Sequence, residues 1–127
     1  MAVQLNHTIV WCRDNVRSAS FLTDLFGLPD ATSFGPFKIV DVDNALSLDF
    51  HSTDDEIQSQ HYAFLVGDDD FDAIYGRITA QGMEHWEDPM RSTHGVNTHD
   101  GGRGTYFLDP DGHLLEILTV PYGGWPT

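Results

Sequence analysis

The chain contains the same order of patterns twice, and this repetition limits its folds more than any other feature. The first strand pattern, LNHTIVWC, contains His7, and the helix pattern after it ends at Gly27, 20 residues after that histidine. The second strand pattern, HYAFLV, begins at His61 and leads through a helix pattern to Gly82, 21 residues further on. Each half then ends in an apolar strand with an acid at its centre. This order predicts a duplicated strand–helix–three-strand (βαβββ) unit.

Local signals place the elements of each unit. Asp14 is predicted to cap the first helix, whose apolar stripe would be Val16, Ala19, Leu22 and Phe26. The acidic turn DDD precedes a second helix, whose predicted inward residues are Phe71, Ile74 and Ile78. Three strands are predicted in the first unit after its helix, around residues 31–34, 37–42 and 45–50.

The whole chain, residues 1–127, is predicted to be one α+β domain of two such modules, about 1–55 and about 58–127. The second module is the longer one, and its extra residues form a polar, glycine-rich insertion at about 89–104. Because residues 92–104, STHGVNTHDGGRG, have no apolar anchor, they suit a mobile cover over a site. An ordinary surface loop explains the same composition.

The charge of the chain is strongly negative, since 20 acidic and 6 basic residues give a formal net charge of −14. Such a surface repels nucleic acid and anionic membranes, and it attracts metals or basic small molecules. Taken alone, the charge is more simply explained by a general role in solubility. Cys12 is the single cysteine, so no internal disulfide is expected. No signal peptide or long apolar run is recognisable, and we expect a cytoplasmic protein without a membrane span.

The two strands that end the units carry acids where apolar side chains are expected. In ALSLDF, Asp49 shares a polar side with Ser47 and His51, and in HLLEIL the carboxylate of Glu116 lies among leucine and isoleucine. A carboxylate in a buried strand is costly unless something pairs with it. If the strands curl around one hollow, the histidines that begin both units would meet these acids.

Two imidazoles and one or two carboxylates from separate strands make a binding site for one divalent first-row metal (Fe, Mn, Ni, Co or Zn). Positions left open on such a metal indicate catalysis. A single strand histidine is more simply explained as a core or surface residue. Two histidines at corresponding positions of two copies favour the metal site.

The sequence resembles the vicinal oxygen chelate superfamily of glyoxalases, bleomycin-resistance proteins, fosfomycin-resistance enzymes and extradiol dioxygenases. The resemblance rests on the opening LNHTIVWCRD, on HYAFLV and on the terminal RGTYFLDPDGHLLEILT. It implies paired βαβββ modules in a cupped mixed sheet, the glyoxalase/bleomycin resistance/dihydroxybiphenyl dioxygenase fold, often assembled as a homodimer. It also implies a small-molecule substrate whose adjacent oxygens chelate the metal.

The resemblance places His7, His61 and Glu116 at the family's metal-ligand positions. Asp49 falls where glyoxalases have a fourth ligand, and its shorter side chain is expected to bind directly or through water. Tyr106 precedes Glu116 by ten residues, a spacing similar to that of the active-site tyrosine in extradiol enzymes. These residues are the candidates for catalysis and metal binding, together with His99 as a proton carrier.

Four further residues are candidates for substrate binding. Trp11 shares the side of His7 and would form the wall of a pocket, although a core tryptophan is the alternative. The other three are His51, Asn97 and Arg103.

Two functions remain open. The first is a metal-dependent enzyme acting on a molecule with vicinal oxygens, either as a ring-cleaving dioxygenase or as a glyoxalase-like lyase or isomerase. Six basic residues are few for binding glutathione or a phosphonate, which disfavours those two branches. The second is a metal-free, bleomycin-resistance-type protein that sequesters a cationic small molecule.

Overall fold

The computed structural model describes residues 2–126, and the chain forms two compact units that divide between Gln58 and Ser59. Both units combine helix and strand, so the predicted α+β class is confirmed. The first unit contains β1 (His7–Cys12), α1 (Asn15–Phe26), β2 (Thr32–Phe34), β3 (Phe37–Val42) and β4 (Leu46–Ser52). The second contains β5 (His61–Leu65), α2 (Asp68–Ala80), a short 3-10 helix (His99–Gly101), β6 (Gly104–Leu108) and β7 (Leu114–Leu118).

The sheet of the first unit has the strand order β1-β4-β3-β2. Strand β1 runs parallel to β4, and the other neighbours are antiparallel, so the sheet is mixed as predicted. Residues alternate between its two faces. One face holds the buried core of the unit, including Val10, Val40, Leu48 and Phe50. The other face carries His7, Ile9 and Trp11, which are exposed.

Helix α1 begins and ends where the sequence predicts. The Asp14 carboxylate accepts hydrogen bonds from the backbone N–H groups of Val16 and Arg17, at 3.1 and 3.3 Å, and caps the first turn. Gly27 ends the helix with φ of 68°, a conformation that glycine adopts without strain. The predicted apolar stripe is wrong in one place, because Val16 is 58% exposed while Leu25 is buried.

The second unit has the order β5-β7-β6, with β5 parallel to β7 and β6 antiparallel to it. Its core contains Phe71, Ile74 and Ile78 from α2, which confirms the predicted inner face of that helix. The unit differs from the predicted pattern in one strand. Where the first strand after α2 is expected, the described chain forms isolated bridges at Trp86, which pairs with Tyr106 and His94. A continuous ladder needs consecutive extended residues, and the polar stretch that follows Trp86 does not supply them.

The insertion is attached to the unit at several points. Asn97 is buried, and its backbone pairs with Gly104 while its side-chain amide donates to the carbonyl of Glu87. Thr105 donates its hydroxyl to the carbonyls of Trp86 and Gly95. The polar side chains of this stretch therefore form part of the unit's own hydrogen bonding.

Within residues 2–126, no helix combines the length and the apolar character that crossing a bilayer requires.

Candidate metal centre

The buried carboxylate of the acid-bearing terminal strand lies at the middle of the second unit's sheet. Glu116 is in the central strand β7, opposite Ala63 on one side and Tyr106 on the other. Only 1% of the residue is exposed. His61 lies two residues before Ala63, so the alternation of β5 places its side chain on the same face as Glu116.

Three polar groups surround this carboxylate. The Oε1 atom of Glu116 lies 3.1 Å from Nε2 of His61, and it accepts a hydrogen bond of 2.6 Å from the Tyr122 hydroxyl. The hydroxyls of Tyr106 and Tyr122 are 3.0 Å apart. The rings of His61 and Tyr106 also stack, with their centroids 5.8 Å apart. The predicted residues His61, Glu116 and Tyr106 therefore do meet.

The hydrogen bonds of His61 determine which ring nitrogen faces the acid. Its Nδ1 atom lies 2.8 Å from the backbone carbonyl of Leu114, and a carbonyl only accepts, so Nδ1 carries a proton. In the neutral imidazole, Nε2 then presents a lone pair toward Oε1 of Glu116. Two lone pairs that face each other at 3.1 Å need a cation between them, either a proton or a metal.

The spacing of these two atoms fits a metal ion. Ligand nitrogen and oxygen atoms lie about 2.0–2.2 Å from a first-row metal, so two ligands at a right angle are about 3 Å apart. The observed separation of Nε2 and Oε1 is 3.1 Å. The Nδ1–H···O=C bond of His61 is also the support that metal-binding imidazoles commonly have, because it fixes the ring and its tautomer.

The two tyrosines stay protonated at neutral pH. Burial is the largest cause that raises the pKa of Tyr106, and the nearby charge of Glu116 raises it further. Burial and the hydrogen bond to Glu116 raise the pKa of Tyr122 strongly. Both hydroxyls are therefore available as hydrogen-bond donors.

His7 and Asp49 belong to the first unit, where they share one sheet face. Strand register pairs His7 with Ser47 and Ile9 with Asp49. The Nδ1 atom of His7 lies 2.8 Å from Oδ1 of Asn6, an acceptor, so Nε2 of His7 also presents its lone pair. Asp49 accepts a hydrogen bond of 2.9 Å from Ser47. Over residues 2–126, neither unit by itself gathers three His, Cys, Asp or Glu side chains closely enough for a metal.

An aromatic cluster occupies the same face of the first sheet. The ring of His51 lies 4.8 Å from that of Trp11 and 5.1 Å from that of Phe37, measured between centroids. Trp11 is 45% exposed, so its ring is available to contact a planar ligand. Trp11 and His51, both predicted as substrate-binding residues, therefore lie together on the face that carries His7.

The other predicted residues have different surroundings. The guanidinium of Arg103 binds Asp72 at 2.7 Å and Asp68 at 3.1 Å, and it lies over the ring of Phe71. These contacts join the residue that precedes β6 to the start of α2, and the expected contact of Arg103 with substrate has no support in them. The side chain of Asn97 is also bound within the unit, because its amide donates to the backbone carbonyl of Glu87.

His99 lies in the 3-10 helix and is exposed; its backbone N–H donates to Oδ1 of Asn97, and its carbonyl accepts from the N–H of Gly102. No contact of its ring with Glu116 is found among residues 2–126.

Tyr122 is the contact of Glu116 that sequence reasoning missed. It lies in the turn PYGG, six residues after the acid, where neither strand nor helix periodicity predicts the direction of a side chain. Its one signal is a large aromatic residue beside two glycines, close to the end of the acid-bearing strand.

Comparisons with known proteins agree with this architecture. The chain aligns over 97% of its length with the solved structure of the oxidase ChaP-H1, with 57% identity, full coverage of that chain and a TM-score of 0.94. The oxidase ChaP-H2 gives 53% identity, 98% coverage of both chains and a TM-score of 0.95. The glutathione transferase FosA of Serratia marcescens is 29% identical over 123 residues, which cover 92% of this chain and 81% of FosA.

A family model gives the membership directly. The model described as the Glyoxalase/Bleomycin resistance protein/Dioxygenase superfamily matches residues 4–117, which confirms the resemblance drawn from the sequence motifs. On this match, and on the fold shared with the two oxidases, the chain belongs to the glyoxalase/bleomycin resistance protein/dioxygenase superfamily.

Proposed function

We propose that this protein is a divalent-metal-dependent enzyme that oxidises a small molecule bearing adjacent oxygen atoms. The observation that carries the proposal is the pair formed by His61 and Glu116, whose Nε2 and Oε1 atoms face each other at 3.1 Å, a spacing that fits two ligands of one cation. Burying an acid that is 1% exposed, with a half-exposed imidazole as its partner, lowers the free energy of unfolding. The same arrangement favours the binding of a cation.

The proposed ligand set is His61, Glu116 and His7, the last supplied by the first unit of the same chain or of a second copy. Asp49 is the proposed fourth ligand, bound directly or through water. When bound, the metal would act as a Lewis acid for the oxygens of the substrate. On substrate binding, the protonated Tyr106 hydroxyl would turn from the Tyr122 oxygen and donate to a substrate oxygen that gains negative charge.

Oxygen chemistry is favoured over the glyoxalase-like alternative by the relatives. Two solved structures at 57% and 53% identity are named oxidases, whereas FosA, a transferase, is 29% identical. The side chains agree with this order, because the ion pairs of Arg103 with Asp68 and Asp72 leave that guanidinium poorly placed to bind a phosphonate or a carboxylate.

A second candidate function is sequestration of a cationic, planar small molecule without a metal. The exposed Trp11 ring beside His51 and Phe37 would stack on such a ligand, and the net charge of −14 would attract it. The His61–Glu116 pair has no role in this alternative.

Metal content tests the proposal. Protein purified anaerobically and without a tag is expected to contain one divalent metal per site, and His61→Ala is expected to lose it. His94→Ala is the control, because His94 is an exposed histidine of the same unit whose ring stacks on Trp86. Unchanged metal in His61→Ala would reject the proposal.

The identity of the metal and a binding assay separate the alternatives. Iron would support oxygen chemistry, whereas nickel or zinc would support isomerisation. Tight binding of a cationic glycopeptide to metal-stripped protein would favour sequestration instead.

A further inference from the structure

Tyr122 combines an exposed ring with a buried contact. The residue is 65% exposed, yet its hydroxyl lies 2.6 Å from Oε1 of Glu116, of which 1% is exposed. Its ring therefore adds little to the apolar core, and its principal recorded interaction is the one made by the hydroxyl. A side chain that is mostly exposed but ends on a buried carboxylate is placed for that contact.

The direction of the hydrogen bonds follows from counting protons. An ionised carboxylate only accepts, so the single proton of the Tyr122 hydroxyl points to Glu116. The contact of 3.0 Å between the two phenols must then be donated by Tyr106, whose hydroxyl gives its proton to the Tyr122 oxygen. The order is Tyr106 to Tyr122 to Glu116, with each group oriented by the one before it.

This order fixes the part of Glu116 that is intrinsically loose. The final torsion of a glutamate side chain has a broad, roughly two-fold preference, so packing alone does not determine where its oxygens point. A short hydrogen bond to an ionised oxygen is about twice as strong as a neutral one. Because the Tyr122 hydroxyl binds Oε1, the same atom that faces His61, it restricts that oxygen to the direction of Nε2.

The backbone around Tyr122 is held in place as well. The N–H of Gly123 donates to Oδ2 of Asp100 at 3.0 Å, and the N–H of Gly124 donates to the carbonyl of Pro121 at 2.8 Å. Gly123 has φ of 80°, which favours glycine at this turn. Asp100 thus connects the insertion to the segment that carries Tyr122.

We propose that Tyr122 is a positioning residue for metal binding: its hydroxyl holds Oε1 of Glu116 toward Nε2 of His61, and Asp100 holds the turn that presents it. The inference rests on the proposed function, since it assigns a role within the same metal site. Groups that orient a metal ligand commonly raise the metal affinity by about 10–100-fold.

The test compares Tyr122→Phe with Tyr75→Phe. The control removes a hydroxyl from the same unit, at a bond of 3.1 Å to Nε2 of His85, on helix α2. Calorimetric titration of metal-free protein with Co²⁺ is expected to give a Kd that is about 10–100-fold higher for Tyr122→Phe and changed by less than about threefold for Tyr75→Phe. The thermal midpoint of metal-free Tyr122→Phe is expected to fall modestly, because one hydrogen bond to the buried carboxylate is lost while the exposed ring is kept, so the variant stays folded for the titration.

Asp100 gives an independent variant. Asp100→Gly removes the acceptor and accepts the local φ of 56°, so it is expected to weaken Co²⁺ binding in the same direction as Tyr122→Phe. Asp100→Asn keeps an acceptor oxygen and is expected to bind Co²⁺ like the wild type. Equal Kd values for wild type and Tyr122→Phe would overturn this inference alone. Wild-type protein that binds no Co²⁺ would overturn both it and the proposed function.

Discussion

Replacing Glu116 by leucine should stabilise the metal-free protein while removing its metal site. The carboxylate is 1% exposed, and its close polar contacts are Nε2 of His61 at 3.1 Å and the Tyr122 hydroxyl at 2.6 Å. In the absence of a metal, the negative charge lies in an apolar strand with incomplete compensation. Leucine has a similar volume and extends the apolar character of Leu115 and Ile117.

The size of the effect follows from two opposing terms. Replacing a whole buried ion pair by apolar residues is typically neutral or stabilising by up to about 4 kcal/mol, and removing one partner is costly where the other charge stays buried. The His61 side chain is 42% exposed and can lose its proton to water, so Glu116→Leu leaves no buried charge. The loss of the acceptor used by Tyr122 costs about 1 kcal/mol, and both tyrosine hydroxyls keep each other as partners. The expected net gain in the free energy of unfolding is about 1–2 kcal/mol, which raises the thermal midpoint by roughly 3–8 °C in a domain of this size.

Thermal unfolding of metal-free proteins, with and without excess Co²⁺, measures both parts of this prediction. At a free metal concentration 100 times its Kd, wild type should gain about 2.7 kcal/mol, whereas Glu116→Leu should gain nothing. Glu116→Gln is the control, because it keeps the shape and an acceptor for Tyr122. If metal-free Glu116→Leu is less stable than wild type by more than about 1 kcal/mol, the carboxylate supports the fold and the reasoning fails.

Two predictions concern the second unit. Gly102→Ala should lower the free energy of unfolding by about 1–3 kcal/mol, because its Cβ would lie 2.6 Å from Cγ2 of Val120. In Gly76→Ala the added Cβ meets no atom within 4 Å, and the variant should stabilise α2 by about 0.5–1 kcal/mol. Urea unfolding measures both changes. Burial raises the pKa of Asp109 above 3.8, so the stability it contributes is present below that pH and lost as pH rises through the raised pKa. Asp109→Asn should flatten this decline in urea unfolding measured at several pH values, and an unchanged pH dependence would contradict it.

Local patterns predicted the elements of this fold well, and their errors have identifiable causes. The cap at Asp14 and the inner face of α2 depend on neighbouring residues and the helical repeat, so both could be read directly. In α1, packing against the sheet buries Leu25, which the predicted stripe omitted, and leaves Val16 exposed. The duplicated unit predicted three strands after α2, and isolated bridges at Trp86 take the place of the first of them, because pairing requires a partner ladder that local pattern does not supply.

The site divides in the same way. His61 and Glu116 could be predicted to share a face, because strand alternation fixes the side of each residue once the register is known. Arg103 could not be separated from a substrate contact by its residue type, since the structure alone brings Asp68 and Asp72 to its guanidinium. The residues able to bind a metal or a substrate could be identified from the sequence. Which of their side chains are bound to other parts of the chain could not.

Residue order and spacing were sufficient to predict the duplicated order of strands and helices, the residue types able to bind a metal, and the family to which the chain belongs. Tertiary structure alone decided that Nε2 of His61 faces Oε1 of Glu116 and that Tyr122 joins them. The reason is physical: periodicity encodes the face of a residue within a regular element, while the path of a turn and the torsions of a side chain depend on contacts with residues distant in sequence.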